Sequence, residues 1–564
     1  MSSGVMILVL SFLLTAAIGI FFAYKRQLRY LQFFQQEDYE AGRFIAWYSE
    51  KSAFDKKASI SIIVALALFM VPIPNEFMPL VITILASIRL WFIASNEENP
   101  LTTGKIKLKL TARAKRILHL SIALYSVAFL VVLALCCLQK VMAAVVTFWI
   151  AQLLFVQSQP FWLVIANWLL KPYEQGIQDG FAKEAQSIVK KYDPLVIGIT
   201  GSYGKTSTKV ILKEVLGAVR PTFSTPGSIN SYMGVTREIR ERMKPEHKFA
   251  VIEMGAYYIG SIKKLCSLTP PKAGIITAVG VMHLERFGGQ EQVFLAKSEL
   301  AQAIPADGIL VVNGDYEYCR RMAAENPKKV TLIYGLEPDK GHLDATIFDI
   351  TVDGNGSKFK IKWKGEVYEA FVGLLGKPML SNVLASFTMA CALGMEPEVA
   401  IAALRNVKAE SNRLEPVRVP IASLPRAENG NSEIKPGQIL RLNDAYNSNP
   451  IGFASALDVL GEIPGGRKIL VTPGMIELGE KQEEENRRLS TKAAGICDMV
   501  LVVGETNKKA IMEGLSAGGI KEEQHRSFAS MRSALGYLSQ YCDDKDVVLI
   551  ENDLPDLYEG VVSF

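Results

Sequence analysis

The residues best equipped for chemistry are Gly198-Ile199-Thr200-Gly201-Ser202-Tyr203-Gly204-Lys205-Thr206-Ser207. An apolar run from Leu195 to Thr200 leads into them, and a helical periodicity from Ser207 to Val219 follows. Strand, glycine loop and helix in that order suit phosphate recognition. Backbone N–H groups surround the anion, Lys205 reaches the outer phosphates, and the Thr206 hydroxyl can hold magnesium. The usual spacing puts the first glycine at position 199, where Ile199 stands, while a glycine occupies 198, so the loop is a variant. Gly201, Gly204, Lys205, Thr206 and Ser207 are the expected nucleotide contacts, since a purely structural glycine turn has no use for Lys205 and Thr206.

Positioning such a loop takes a sheet. Further buried strands are expected at Phe249 to Ile252, Ala273 to Thr277 and Gly308 to Val312, separated by helix-length stretches, which indicates a mostly parallel sheet. Between 342 and 370, alternating Thr346, Phe348, Ile350 and Val352, then Phe359, Ile361 and Trp363, flank Asp353-Gly354-Asn355-Gly356 and predict an antiparallel hairpin. A second αβ pattern begins near 439, with strands at Ile469 to Val471, Met499 to Val503 and Asp546 to Ile550, and helices from Gln482 to Ala494 and Ser527 to Tyr541. The stretch 416 to 438 reads as an exposed excursion.

The chain has 564 residues, too many for one core, and its composition is uneven. Five apolar stretches, roughly 5 to 24, 58 to 74, 78 to 95, 117 to 138 and 141 to 170, are expected to be membrane-spanning helices. Lys25, Arg26, Arg29, Arg43, Lys51, Lys56 and Lys57 follow the first, and Lys105, Lys107, Lys109, Arg113, Lys115 and Arg116 follow the third. The positive-inside tendency then puts the N-terminus outside and everything after 170 in the cytoplasm, in a multi-pass protein of the cytoplasmic membrane. The net charge of +5 does not suggest a nucleic-acid partner, and seven scattered cysteines argue against a disulfide framework or a structural zinc site. The expected fold is an α-helical membrane segment (1–170), an α/β ATP-binding central domain (171–412) and a smaller Rossmann-like domain (413–564).

The glycine loop resembles the ATP loop of the Mur ligases, which build peptidoglycan precursors, and later motifs resemble the branch that adds D-alanyl-D-alanine. They are Glu253 in Glu-Met-Gly, His283 in His-Leu-Glu-Arg-Phe-Gly, Lys297 in Ala-Lys-Ser-Glu, Asn313 with Asp315, Asn382, Arg413, Asp444 to Pro450 in Asp-Ala-Tyr-Asn-Ser-Asn-Pro, and Met475 to Gly479. The resemblance covers about 190 to 564. It implies that ATP phosphorylates a carboxylate and that an amine then attacks the acyl phosphate. Mg2+ would be held by Thr206, Glu253, His283 and a carbamylated Lys297, with Lys205, His283 and Lys297 catalytic. Asn382, Arg413 and Asp444 would contact ATP. Tyr446, Asn447 and Asn449 would orient substrates, or stabilise a turn before Pro450. For Glu253 the alternative is a strand-end carboxylate, for His283 a loop histidine, and for Lys297 a surface helix lysine beside Glu299.

The chain departs from the family in three places. Apolar helices stand where a domain for a UDP-linked muramoyl substrate is expected, Pro378-Met379 replaces His-Asn before Asn382, and Glu551-Asn552-Asp553-Leu554-Pro555 replaces Lys-Gly-Ser-Arg. The expected activity is a membrane-anchored carboxylate-amine ligase on a cell-envelope precursor, taking an amine-bearing amino acid or dipeptide, with the lipid bilayer and envelope-synthesis proteins as further partners. An amidating or poly-amino-acid ligase and a non-catalytic ATP-binding scaffold are the alternatives.

Overall fold

The computed structural model describes residues 3–50, 53–69, 78–103, 107–138, 141–280, 289–409, 413–425, 436–445, 448–476 and 478–552. The chain forms two compact units, Met1–Ile177 and Gln178–Leu554.

The first unit is helical: α1 (Ser3–Gln36), α2 (Ala41–Glu50), α3 (Lys56–Phe69), α4 (Met78–Ser95), α5 (Ala112–Cys137), α6 (Val141–Gln157) and α7 (Gln159–Tyr192), the last running on past the unit boundary. Aromatic side chains fill its two cores. Phe12 stacks on Phe148 at 4.7 Å and Phe33 on Trp47 at 4.4 Å. A buried ionic cluster ties α1 to the start of α3 and the end of α4: Arg26 Nε lies 2.7 Å from Asp55, and Glu97 binds both Arg26 and Arg29.

The expectation of five membrane spans is corrected here. Among the described residues, one helix, Ala112–Cys136, is long and apolar enough to cross a membrane, or two if Ala143–Gln157 and Gln159–Tyr192, bent by 64°, form one span. The apolar run from 141 to 170 is broken by that bend, and part of the apolar surface of the other helices is spent on packing among themselves. Phe22, Ile62, Leu90 and Trp149 pack against one another's helices, while Ile60, Ile63, Leu85 and Trp91 are exposed. The multi-pass topology, its outside N-terminus and the assigned location fall with the five spans, and the bilayer loses its basis as a partner.

The second unit holds two sheets. The larger contains β1 (Leu195–Thr200), β2 (Thr222–Ser224), β3 (Phe249–Glu253), β4 (Ala273–Ile276), β5 (Ile309–Asn313), β6 (Val330–Gly335), β7 (Ala345–Asp353), β8 (Gly356–Trp363) and β9 (Glu366–Val372), in the order β2-β3-β1-β4-β5-β6-β7-β8-β9. Strands β1 to β6 are parallel, and β7, β8 and β9 make the antiparallel excursion, one strand more than a hairpin. Helices α8 (Lys205–Gly217), α9 (Tyr232–Arg242), α10 (Ser261–Leu268), α11 (Gln290–Ala303), α12 (Glu317–Glu325), α13 (Lys377–Ala392) and α14 (Pro397–Leu404) accompany it. Two apolar cores, one with Ile199, Leu212 and Leu384 and one with Ile252, Leu265 and Leu300, bury the near-continuous apolar strands from both faces.

The smaller sheet has the order β10-β11-β15-β12-β13-β14, built from β10 (Glu415–Pro420), β11 (Gln438–Asp444), β12 (Lys468–Thr472), β13 (Met499–Val503), β14 (His525–Phe528) and β15 (Val547–Glu551). Its helices are α15 (Pro450–Glu462), α16 (Gln482–Ala494), α17 (Lys508–Ala517) and α18 (Met531–Tyr541). Only β10 is antiparallel to its neighbour. The excursion expected from 416 therefore opens as a strand, which its prolines permit because β10 lies at the sheet edge. Helix α18 begins later than expected because 525 to 528 pair with β13.

Candidate active site

Strand β1 ends against the glycine loop, and α8 starts at Lys205. The loop is fixed from beneath: Ser202 N–H donates to Ala278 O at 2.8 Å, and Thr277 Oγ1 donates to Tyr203 O. Gly204 takes φ +76°, and a Cβ there would overlap Asn382 Oδ1, so glycine is required for both backbone and space. Lys205 Nζ donates to Gly201 O at 2.7 Å and Ser202 O at 3.4 Å. Burial holds Lys205 below the ordinary lysine range, the Glu253 charge opposes this, and the Arg413 charge adds to it.

Glu253 closes β3, beside β1 with Ile199 as its register partner. Its Oε1 accepts from Thr206 Oγ1 at 3.1 Å and from Asn230 Nδ2 at 2.9 Å. Its Oε2 pairs with Lys209 Nζ at 3.1 Å. Tyr257 donates its hydroxyl to Asn230 Oδ1 at 2.9 Å. The Thr206 hydroxyl and the Glu253 carboxylate thus form an all-oxygen donor set next to the phosphate loop. That set fits Mg2+, which takes few carboxylates and completes its shell with water and substrate phosphates. No group of three His, Cys, Asp or Glu suited to a metal occurs among the described residues.

Lys297 lies on α11 and is 5% exposed. Burial, and then the Lys205 charge, push its amine well below the usual lysine range. Glu299 is occupied elsewhere, accepting from Gly260 N–H and from Lys263 N–H at 2.8 Å, so Lys297 is no surface helix lysine paired with it. Asn382, on α13, accepts from Thr208 Oγ1 at 3.2 Å and presses on Gly204, which ties it to the loop and α8. Asn313 Nδ2 donates to Thr277 O at 3.0 Å, and the Asp315 carboxylate accepts from the N–H groups of Leu336 and Glu337.

From the smaller sheet, Asp444 Oδ1 accepts from Leu414 N–H at 3.0 Å, next to Arg413. Burial raises the Asp444 carboxyl to about 6. Its register partner across β11 and β15 is Glu551, which is 1% exposed and accepts from Ser448 Oγ at 2.5 Å. Among the described residues, no N–H group or hydroxyl donates to Glu551 Oε2. Burial, followed by the Asp444 charge, raises Glu551 well above the carboxylate range, as expected of two carboxyls sharing one proton. Asn449 caps α15 by accepting from Gly452 N–H at 2.9 Å, which serves the turn before Pro450. His283, Tyr446, Asn447 and Glu477 lie outside the described residues.

The structure thus brings Lys205, Thr206, Glu253 and Asn382 together, with Arg413 acting electrostatically on Lys205, and Lys205 on Lys297. Sequence reasoning missed Lys209, Asn230 and Tyr257. The one available signal was that a lone carboxylate closing a buried strand needs a counter-charge, and Lys209 stands one turn after Lys205.

Residues 199–390 match the family model described as Mur ligase middle domain, and 432–551 match that described as Mur ligase, glutamate ligase domain. The UDP-N-acetylmuramoyl-tripeptide--D-alanyl-D-alanine ligase of Escherichia coli is 32% identical over 58% of this chain and 68% of its own length. The enzyme of the same name from Bacillus subtilis is 30% identical over 53% of this chain and 60% of its own. Among solved structures, MurF from Thermotoga maritima in complex with ADP superposes with a TM-score of 0.56 at 25% identity, covering 67% of this chain and 80% of that one. MurF from Acinetobacter baumannii shares the fold, with a TM-score of 0.57 at 23% identity over 67% of this chain and 77% of that one. With both domain models matched in order over more than half its length, the chain belongs to the Mur ligase family and is an ATP-dependent, amide-bond-forming ligase.

Proposed function

We propose that the chain joins a carboxylate of a peptidoglycan or related cell-envelope precursor to an amine through an acyl phosphate. The observation that carries this is the Thr206–Glu253 oxygen pair beside Lys205 at the end of β1. A substrate carboxylate oxygen attacks the γ-phosphorus of ATP, the bond to the β-phosphate oxygen breaks, and ADP leaves. The amine nitrogen then attacks the acyl carbon, the C–O bond to phosphate breaks, and the amine loses a proton. Mg2+, held by Thr206 and Glu253 and joined in our proposal by His283, neutralises phosphate charge when bound. Lys205 supplies a fixed cation for the transferred phosphoryl group. Gly201, Gly204 and Ser207 line the phosphate loop, and Asn382, Arg413 and Asp444 hold the nucleotide. Tyr446 and Asn447 orient substrate, while Asn449 acts by capping α15.

Lys297 is proposed to carry a carbamate. Its amine, which burial favours in the neutral form, adds to carbon dioxide with loss of a proton and becomes an anion beside Lys205. We place the boundary between the ATP-binding part and the C-terminal part at Arg413.

The names of the relatives support D-alanyl-D-alanine as the amine. Glu551 favours a second reading, an amine without a carboxylate at that position, because a buried carboxyl pair at the carboxyl ends of β11 and β15 repels an anion. Purified full-length protein should form ADP with one of the UDP-linked or lipid-linked muramoyl peptides when paired with D-alanyl-D-alanine, a single amino acid or ammonia. Mass spectrometry would identify the amide. The product should vanish in Lys205→Met. ATP binding with no ADP in any pairing would favour the scaffold instead.

A further inference from the structure

Lys209 is a fully buried lysine that the ligase chemistry has not yet used. It stands one turn into α8 from Lys205, with 0% of its side chain exposed, and it faces Glu253, 1% exposed. An ammonium in that position must be matched by a charge, and its matching charge is Glu253 Oε2 at 3.1 Å. A second proton of the ammonium goes to Gly227 O, so Lys209 also fastens the loop that carries Asn230. The two carboxylate oxygens are thereby divided. Oε2 faces the ammonium, whereas Oε1 is turned to the Thr206 hydroxyl and the Asn230 amide, on the phosphate-loop side.

We propose that Lys209 is the positioning residue of the metal–nucleotide site: it occupies Glu253 Oε2 and leaves Oε1 alone to meet the cation beside Thr206. Without Lys209 the buried carboxylate loses its ion pair, and only the neutral hydrogen bonds from Thr206 and Asn230 to Oε1 hold it. It would then turn toward water or toward Lys205, and Thr206 would lose its companion oxygen. The hydrogen bonds from Thr206 and Asn230 are neutral and cannot replace the ion pair. Lys209 touches neither phosphate nor metal in this arrangement and acts only through Glu253. The inference rests on the reading of Glu253 as an oxygen donor to Mg2+.

The test is the affinity of the full-length protein for a non-hydrolysable ATP analogue, titrated at a series of Mg2+ concentrations and again in EDTA. Wild type is compared with Lys209→Met, Glu253→Gln and the double variant, with circular dichroism and thermal unfolding as checks on folding. The double variant removes both charges and leaves neither one orphaned, so it keeps the comparison sound if Lys209→Met alone folds poorly. Lys209→Met should raise the Mg2+ concentration for half-maximal binding by about 10- to 100-fold, the usual effect of losing a residue that orients a metal ligand. Affinity in EDTA should be unchanged, and the double variant should be no worse than Glu253→Gln. Equal loss in EDTA and in Mg2+, or additive losses in the double variant, would overturn the role of Lys209 while leaving the ligase reading intact. Wild-type binding that ignores Mg2+ would overturn both the role of Lys209 and the reading of Glu253 as an oxygen donor to Mg2+.

Discussion

At the scale of single residues, the site is governed by charges kept away from water. Burial pushes the amines of Lys205 and Lys297 toward neutrality, and the Lys205 charge adds to the effect on Lys297. The opposite case is the Asp444–Glu551 pair. A carboxyl whose folded-state pKa lies above its unfolded value holds its proton more tightly when folded. For Asp444, whose ordinary value is 3.8, the stabilising contribution is complete below about 3.8 and is lost as pH rises through about 6. Glu551 is raised as well, so the loss continues in the same direction. Glu551→Gln gives Asp444 a permanent N–H donor. The variant should unfold at a higher temperature than wild type above pH 6, and the gain should shrink toward pH 4. A gain independent of pH across that window would exclude the shared proton. Nothing in the residue order around Asp444 reveals this pair, because the two carboxyls meet only through the register of β11 and β15.

At the scale of elements, the loop between β1 and α8 is as demanding as its sequence promised. A Cβ at Gly201 would overlap Thr277 Oγ1 and stand 2.9 Å from Ala278 N. Gly201→Ala should destabilise the chain by about 1–3 kcal/mol in denaturant unfolding and abolish nucleotide binding in titration. Gly217, at the end of α8, has nothing within 4 Å of an added Cβ. Gly217→Ala should be neutral or stabilising by up to about 1 kcal/mol, and it serves as the control. In the helical unit, the elements are joined by charge as well as by aromatic packing. Arg26→Met would leave Asp55 and Glu97 buried with Arg29 as their remaining cation in the cluster. A loss of about 3–5 kcal/mol in denaturant unfolding is expected. The same helices show why apolar run length misled: a run is counted along the chain, whereas Ala143–Gln157 and Gln159–Tyr192 are bent by 64° where they meet.

At the scale of the whole ligase unit, Arg413 is the residue through which its parts meet electrically. Its charge acts on Lys205 at the phosphate loop and on Asp444 at the end of β11, and Glu485 of α16 acts on Tyr203 in the loop. Closure of the two parts over a bound nucleotide would place these charges around the transferring phosphoryl group and exclude water. Arg413→Ala should therefore lower kcat by about 100-fold, the scale of losing one fixed charge at a transition state, while ATP affinity falls much less. An equal fall in affinity, measured by titration, would confine Arg413 to holding the nucleotide, with no added role in phosphoryl transfer.

The sequence by itself determined the phosphate loop, the parallel strands that carry it and the family, because these rest on local spacing and on runs of buried apolar residues. It also carried Lys297 and Asp444 as residues of interest, through motifs alone. Tertiary structure alone decided that Lys209 faces Glu253, that Asn382 braces Gly204, that Glu299 is spent on the start of α10, and that Asn449 caps α15. It also decided that the apolar N-terminal runs are helices of unequal length rather than five spans. The reason is common to all of these. Burial and pairing arise between residues 36 to 174 positions apart or where an element ends, and no periodicity within one segment encodes which distant side chain will stand opposite.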